Sequence, residues 1–471
     1  MDEAISSYNR ASAIEPDLEF IQGALLQAKM QICDWSSFCQ DLIKMESDIQ
    51  AGGKAFTPFS TLAFMDSLAL QKKAAEINAP PAIAPTRTPT KSGNRNNRIR
   101  LGYFSADFFN HATMHLMAEL FDCHDTSKFH LFGFSFGPPI HDEMSRRASS
   151  AIETFIDVRD KSDREIIDLA NQLELDIAVD LKGYTKFSRP GTFAGRCAPV
   201  QVSYLGYPGT MGAEYFDYII ADTTVIPDDT VAEYTEKIVF MPDSYQVNDS
   251  KRKISSRIFS RQEMGLPESG FVFCCFNNNF KLLPATFDVW MRLLRSVQNS
   301  VLWLLEDNPT VAGNLRKEAE ARGVAGERLV FARRMPLDEH LARHRLADLF
   351  LDTLPYNAHT TASDALWAGL PVLTCTGKSF AGRVAASLLN AVGLPELITG
   401  SYREYEEKAM VLATHADQLV QLRAKLATNR LTCPLFDTSL FARHIESAYQ
   451  IMHERSLAGL PPEHMVVPRT G

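Results

Sequence analysis

The chain has 471 residues, 45% of them apolar, and a formal charge of −9 without a basic tract, which allows about three domains and argues against a nucleic-acid partner. No apolar run nears the ~20 residues of a membrane helix, and residues 1–20 lack the basic-then-apolar order of a signal peptide. The eight cysteines form no C-x-x-C pair, and several sit in apolar runs such as Cys274-Cys275, so they read as buried free thiols of a cytosolic protein.

Residues 1–17, MDEAISSYNRASAIEPD, carry Ala4, Tyr8, Ala11 and Pro16 at the spacing of the second helix of a tetratricopeptide repeat. One half-repeat cannot bury its own face. The segment is therefore cut from a longer repeat protein or is a last remnant; a chance amphipathic helix is the alternative. Helical spacing continues over 18–49 and 61–77, so a helical region is predicted over 1–78. Residues 79–98 are proline-rich and read as a linker.

From residue 99 strand, loop and helix alternate. Strands are predicted over 99–105, 130–135, 152–158, 176–181, 200–205 and 218–221, and helices over 113–123 and 163–173. A second cycle has strands over 270–276, 300–305, 328–331, 348–353 and 371–375, and helices over 284–297, 311–322, 336–347, 361–369 and 380–391. Polar residues 242–266 read as a hinge between the cycles, and a last helix over 437–455 as crossing back to the first. The predicted fold is α/β: two Rossmann-like lobes, 99–241 and 267–430, facing a cleft, with 431–471 as a C-terminal helix and tail.

Residues 346–374, LADLFLDTLPYNAHTTASDALWAGLPVLT, read as strand, polar turn, helix, strand. In a parallel sheet such a turn is where ligands sit. The free N–H groups and partial positive charge of a helix start suit a diphosphate there. Thr360 and Thr361 add hydroxyl donors, Asp364 is placed to accept from a ribose, and His359 stands at the mouth. On spacing alone Thr-Thr-x-x-Asp, with Ser363, is equally an ordinary cap cluster. The turn 205–212, LGYPGTMG, departs from the G-x-G-x-x-G fingerprint. His340 and His344 stand i, i+4, but without a third ligand or an HExxH pattern no metal site is predicted.

The runs FSADFFNHATMHLM, DLKGYTKFSRPGTFAGRCAPVQVSYLGYPGTMG, DYIIAD, CCFNNNFKLLPATFDVWMRLL and NSVLWLL, with the 346–374 stretch, resemble in order and spacing the catalytic region of O-GlcNAc transferases and the related SPINDLY proteins. The resemblance covers roughly residues 99–455, and the half-repeat is similar to that family's repeat arm. It implies a GT-B fold, an inverting mechanism, a nucleotide-sugar donor bound by the second lobe, protein Ser/Thr acceptors, and no metal or other cofactor. The animal enzyme has a long insertion between the lobes; residues 242–266 resemble the shorter bacterial form.

Roles follow from the resemblance residue by residue. Lys281, a surface lysine on spacing alone, matches the essential lysine beside the diphosphate; Asn278 and Phe280 stand where the animal enzyme has glutamine and tyrosine. His111 matches a histidine proposed either as the base or as a positioning group. In the same loop, Asp107 is a cap candidate for the next helix and His115 reads as packing. Asp176 falls where the animal enzyme has a histidine near the donor. Tyr207, Pro208 and Thr210 lie on the cleft wall near sugar and acceptor, or simply form a structural loop; Lys182, Tyr184 and Lys186 face the acceptor. His340 matches a histidine beside the uracil or ribose. Met335-Pro336-Leu337 matches a segment reading the base through its backbone, with Leu337 replacing a lysine, and Arg343 joins the donor set. Arg383 is structural or faces the diphosphate.

The function this implies is transfer of GlcNAc from UDP-GlcNAc to Ser/Thr of proteins held by the repeat arm and cleft, with no nucleic acid or membrane involved. His359 before Thr-Thr favours that donor over the fucosyl donor of the SPINDLY type. The alternatives are another nucleotide sugar such as GDP-fucose or UDP-glucose, a non-protein acceptor, or an inactive repeat scaffold.

Overall fold

The computed structural model describes residues 2–15, 18–84 and 98–469; Pro16 and most of the expected linker 79–98 lie outside the described residues. The chain gathers into two compact units, Met1–Leu70 with Arg252–Cys433 and Gln71–Lys251 with Pro434–Gly471. It opens with helices α1 (Asp2–Ile14), α2 (Ile21–Gln31), α3 (Phe38–Gln50), α4 (Pro58–Phe64) and α5 (Leu68–Asn78). The first α/β cycle runs β1 (Ile99–Ser105), α6 (Ala112–Cys123), β2 (Phe129–Ser135), α7 (Glu143–Ala151), β3 (Thr154–Asp157), α8 (Asp163–Gln172), β4 (Ile177–Asp180), α9 (Pro190–Ala194), β5 (Val200–Ser203), β6 (Tyr218–Ala221) and β7 (Lys237–Phe240). The second runs β8 (Val272–Cys275), α10 (Pro284–Ser296), β9 (Val301–Leu305), α11 (Pro309–Ala321), β10 (Leu329–Ala332), α12 (Leu337–Arg343), β11 (Leu349–Leu351), α13 (Thr360–Trp367), β12 (Val372–Cys375), α14 (Val384–Ala391), β13 (Ile398–Thr399), α15 (Tyr402–Thr414) and α16 (Ala416–Asn429). Helix α17 (Thr438–Leu457) and β14 (Met465–Val466) close the described chain.

One unit holds an eight-stranded sheet in the order β14-β7-β6-β5-β4-β1-β2-β3, every pair parallel. Its strands read as unbroken apolar runs because both faces are covered; Leu101, Tyr103, Ile177, Val179 and Val202 are fully buried. Helix α17 belongs to this unit and packs on α6. Strands β7 and β14 go beyond the predicted elements, as does α7. The α7 sequence EMSRRASSA buries only Ala148, so it carries no apolar period to reveal it.

The other unit holds a six-stranded parallel sheet, β10-β9-β8-β11-β12-β13. Helices α1 and α2 pack together, with Gln22 Nε2 donating to Ser12 Oγ at 2.8 Å. The segment after α2 docks on this sheet's helices: Asn314 Nδ2 donates to Ile32 O at 2.8 Å, and the Trp35 ring meets Phe287 edge-on at 5.2 Å. Residues 242–266 do not form one free connection; they divide at 251–252. Each half is held by buried polar groups. Ser250 N donates to Glu119 Oε2 at 2.7 Å on one side, and Arg252 pairs with Asp364 on the other. All eight cysteines are free thiols. Among the described residues no helix is long and apolar enough to cross a membrane.

Candidate active site

Strands β8 and β11 are neighbours, with Phe350 opposite Cys274, so their C-terminal ends emerge side by side. After β8 the chain makes a short 3-10 turn, Asn279–Lys281; after β11 it makes the turn that leads into α13. This adjacency brings Lys281 to the 352–359 turn. Its Nζ donates to Asn357 O at 2.8 Å and lies 4.0 Å from the centre of the Tyr356 ring. Tyr356 stacks on His359 with centroids 4.7 Å apart. Burial pulls the Lys281 ammonium down to about 7, partly opposed by the Asp352 carboxylate.

Asp352 and Asn277 were not singled out from the sequence. Asp352 Oδ1 accepts from Thr353 N at 2.7 Å and Ala358 N at 2.6 Å, and Oδ2 accepts from Thr374 Oγ1 at 2.6 Å. Burial pushes it up to about 6. Its signal is an acid directly after the apolar run Leu349-Phe350-Leu351. Asn277 donates to Thr353 Oγ1 at 2.8 Å and accepts from Thr361 Oγ1.

The start of α13 differs from the expected cap cluster. The N-cap is His359, which makes no side-chain capping bond, and Ser363 is fully buried. His359 Nε2 lies 3.1 Å from Ala381 O. A carbonyl only accepts, so Nε2 carries the proton. Burial, and Lys281 nearby, hold this imidazole neutral; Nδ1 is then the acceptor. Thr360 and Thr361 are half-buried at the helix start. Asp364 is not a free acceptor for a ribose. One turn into the helix it is 5% exposed, and its carboxylate meets Arg252 Nη1 at 2.5 Å. Burial pushes Asp364 up to about 6, against the pull of Arg252.

The other donor-side residues surround α12. Asn278 is exposed and accepts from Arg334 Nη2 at 3.3 Å. Met335 and Leu337 are half-buried where the helix begins. His340 packs edge-on against Phe276 at 5.2 Å and His344 at 4.7 Å, and burial holds it neutral. Arg343, placed in the donor set, is instead fully buried. Its guanidinium lies over the Phe276 ring at 4.7 Å and donates to Arg333 O at 2.6 Å, so it braces the 333–336 loop. Arg383 likewise donates to a backbone oxygen, Gly377 O, at 3.0 Å. Among the described residues no group of three or more His, Cys, Asp or Glu is placed to hold a metal ion.

In the eight-stranded unit His111, not Asp107, caps α6: its Nδ1 accepts from Thr113 N at 3.2 Å. Asp107 is buried and committed to Lys182 Nζ at 2.5 Å, with His111 Nδ1 3.4 Å from the same oxygen. Lys182 is buried too, with its ammonium committed to this carboxylate. Burial lowers the His111 pKa, Asp107 raises it and Lys182 lowers it. Asp176 lies away from these groups. It precedes β4 at the sheet's N-terminal edge, accepting from Arg100 N at 2.8 Å, whereas His111 and Lys182 follow β1 and β4 at the opposite edge.

Tyr207, Pro208 and Thr210 are buried. Tyr207 meets Tyr184 edge-on at 5.4 Å; Thr210 Oγ1 donates to Glu236 Oε2 at 2.7 Å, and Met211 N to Oε1 at 2.6 Å. Tyr184 OH donates to Met211 O at 2.7 Å. The loops after β4 and β5 approach so closely that a Cβ on Gly206 would stand 1.9 Å from Leu181 O. Of the two expectations for this loop, these contacts are those of the structural one.

The sequence model for glycosyl transferase family 41 matches residues 71–256 and 252–445. The chain belongs to glycosyl transferase family 41. The probable UDP-N-acetylglucosamine–peptide N-acetylglucosaminyltransferase SEC of Arabidopsis thaliana is 36% identical over 466 residues, 94% of this chain and 48% of the relative. The UDP-N-acetylglucosamine–peptide N-acetylglucosaminyltransferase of Caenorhabditis elegans is 28% identical over 497 residues, 82% of this chain and 43% of the relative. The chain spans about half the length of these curated relatives. Among solved structures, a mutant O-GlcNAc transferase of Thermobaculum terrenum aligns with a TM-score of 0.81 at 26% identity, over 97% of this chain and 88% of that one. The Anabaena protein HepE, solved with UDP and glucose, shares the fold at a TM-score of 0.52 and 11% identity, over 75% of this chain and 100% of that one. The two parallel α/β sheets of this family 41 chain are of the GT-B type, as its motifs led one to expect.

Proposed function

We propose that this chain is an inverting glycosyltransferase that moves GlcNAc from UDP-GlcNAc to Ser/Thr hydroxyls of proteins, with Lys281 and the α13 start gripping the donor's diphosphate and no metal ion required. The observation that carries this reading is Lys281 itself, a buried ammonium held on Asn357 O beside a helix start whose N-cap side chain makes no capping bond. Charge develops on the departing diphosphate, and fixed donors in a site shielded from water stabilise it without reorganising. Lys281 supplies full charge, the α13 N–H groups partial charge, and Thr360 a hydroxyl. Neutral His359 offers Nδ1 as an acceptor to a donor hydroxyl. The names of the relatives support UDP-GlcNAc and peptide acceptors.

His111 is read as a positioning group. Thr113 N–H occupies its Nδ1, so the neutral ring carries its proton on Nε2 and presents a donor rather than a base. The paired α1 and α2 support a repeat arm for extended peptide acceptors, and eight free thiols support a reducing cytosol.

Calorimetry with UDP and GDP, followed by incubation with a panel of nucleotide sugars and a host lysate read by intact mass, tests this. UDP should bind more tightly, UDP-GlcNAc should give the mass shift, and chelator should leave turnover unchanged. Tighter GDP binding would move the donor to GDP-fucose, and no mass shift with any sugar would remove the enzyme reading.

A further inference from the structure

Asp66 lies between α4 and α5, outside the residues matched by the family model. Its carboxylate sits in a cradle of backbone donors on the loop after β12. Lys378 N donates to Oδ1 and Oδ2, both at 2.9 Å, and Ser379 N donates to Oδ1 at 2.9 Å. The cradle is shaped for it: a Cβ on Gly377 would stand 3.0 Å from either carboxylate oxygen. Successive N–H groups of this kind form an anion-binding nest.

The same loop reaches the candidate donor site. It closes on itself through Gly377 N to Gly382 O at 2.7 Å and Gly382 N to Ser379 O at 3.0 Å. It lies flat on the turn after β11, where a Cβ on Gly382 would stand 2.8 Å from Pro355 O. Ala381 O then accepts twice, from Asn357 N at 2.9 Å and from His359 Nε2 at 3.1 Å. Asn357 O in turn receives the Lys281 ammonium at 2.8 Å.

We propose that Asp66 is a positioning residue of the donor site: by anchoring the 377–382 loop it sets the Ala381 carbonyl that orients His359 and Asn357, and through Asn357 the Lys281 ammonium. The assignment rests on the UDP-sugar reading above. It makes the helical N-terminal segment part of the donor site's support. A carboxylate is needed because the cradle presents only donors; asparagine offers one acceptor and turns an amide N–H₂ toward them.

The test is UDP binding by calorimetry to wild type, Asp66→Ala, Asp66→Asn and Gly377→Ala, with thermal melting as a control for folding. Asp66→Ala should weaken UDP binding roughly ten-fold, the loss of charge-assisted bonds being spread over the loop, with Asp66→Asn between. Added formate, which fits the emptied cradle, should restore most of the affinity of Asp66→Ala and leave wild type unchanged. Gly377→Ala, which crowds the carboxylate from the other side, should weaken UDP similarly and carries the test if Asp66→Ala does not fold. Unchanged UDP affinity in the folded variants, or a loss in Asp66→Ala that formate does not recover, overturns the proposal. If wild type itself binds no UDP, the donor reading fails first, and the two failures are told apart.

Discussion

Lys281 Nζ donates to Asn357 O at 2.8 Å, so a buried cation is held by a neutral carbonyl rather than by a carboxylate. Its ammonium accordingly falls from 10.5 to about 7. A diphosphate arriving beside it would restore the charge. UDP binding above pH 7 should therefore take up about one proton, seen as a dependence of the calorimetric enthalpy on buffer ionisation heat. Proton uptake that persists in Lys281→Met would assign it elsewhere. That variant should also lose transfer.

The same lysine gives a stability test. Between about 7 and 10.5 the unfolded chain binds the Lys281 proton and the folded chain does not, so folding stability from this group rises with pH across that window. Denaturant unfolding of Lys281→Met should show a flatter rise from pH 7 to 9 than wild type. Parallel curves would mean the ammonium is not desolvated in the folded state.

Arg252 and Asp364 are 1% and 8% exposed at their side chains. Asp364→Ala strands a buried guanidinium and should cost roughly 3–5 kcal/mol in denaturant unfolding. Pairing it with Arg252→Met should recover most of that loss. An Asp364 variant of wild-type stability with weakened UDP binding would instead return Asp364 to the ribose.

His111 has a cap role that can be separated from its chemistry. His111→Ala should cost about 1 kcal/mol, and His111→Asn, a good N-cap, only a few tenths. Both should lose transfer, since asparagine restores the cap and not the ring. Transfer restored in His111→Asn would reduce the residue to a helix cap.

The loop after β5 is confined where Gly206 faces Leu181 O at a distance no Cβ tolerates. Gly206→Ala should cost about 3 kcal/mol, because backbone must move. Gly313, inside α11 with nothing within 4 Å of its would-be Cβ, is the control: Gly313→Ala should gain about 0.5–1 kcal/mol. Both are read from denaturant midpoints.

Much of this protein was legible in one dimension. Apolar runs such as 272–275 and 349–351 specify buried strands, and strands of parallel sheets announce themselves because both faces are covered. Ile99–Ser105 and Tyr218–Ala221 fall where the pattern places them. Separate motifs in fixed order pointed to the family, and the polar turn before α13 was legible because strand, turn and helix are consecutive in the chain.

The partners of polar side chains were not legible. Asp364 and Thr361 look alike as cap residues, yet one meets Arg252, 112 residues away, and the other Asn277, 84 residues away. Arg343, Thr210 and Lys182 read as ligand contacts, yet each is buried on a protein partner, while Asp66 carried no signal beyond its charge and Asp352 only its place after an apolar run. Sequence spacing fixes which face of an element a residue takes. Which donor meets which acceptor depends on distant segments converging, and burial then removes the water that would otherwise satisfy them.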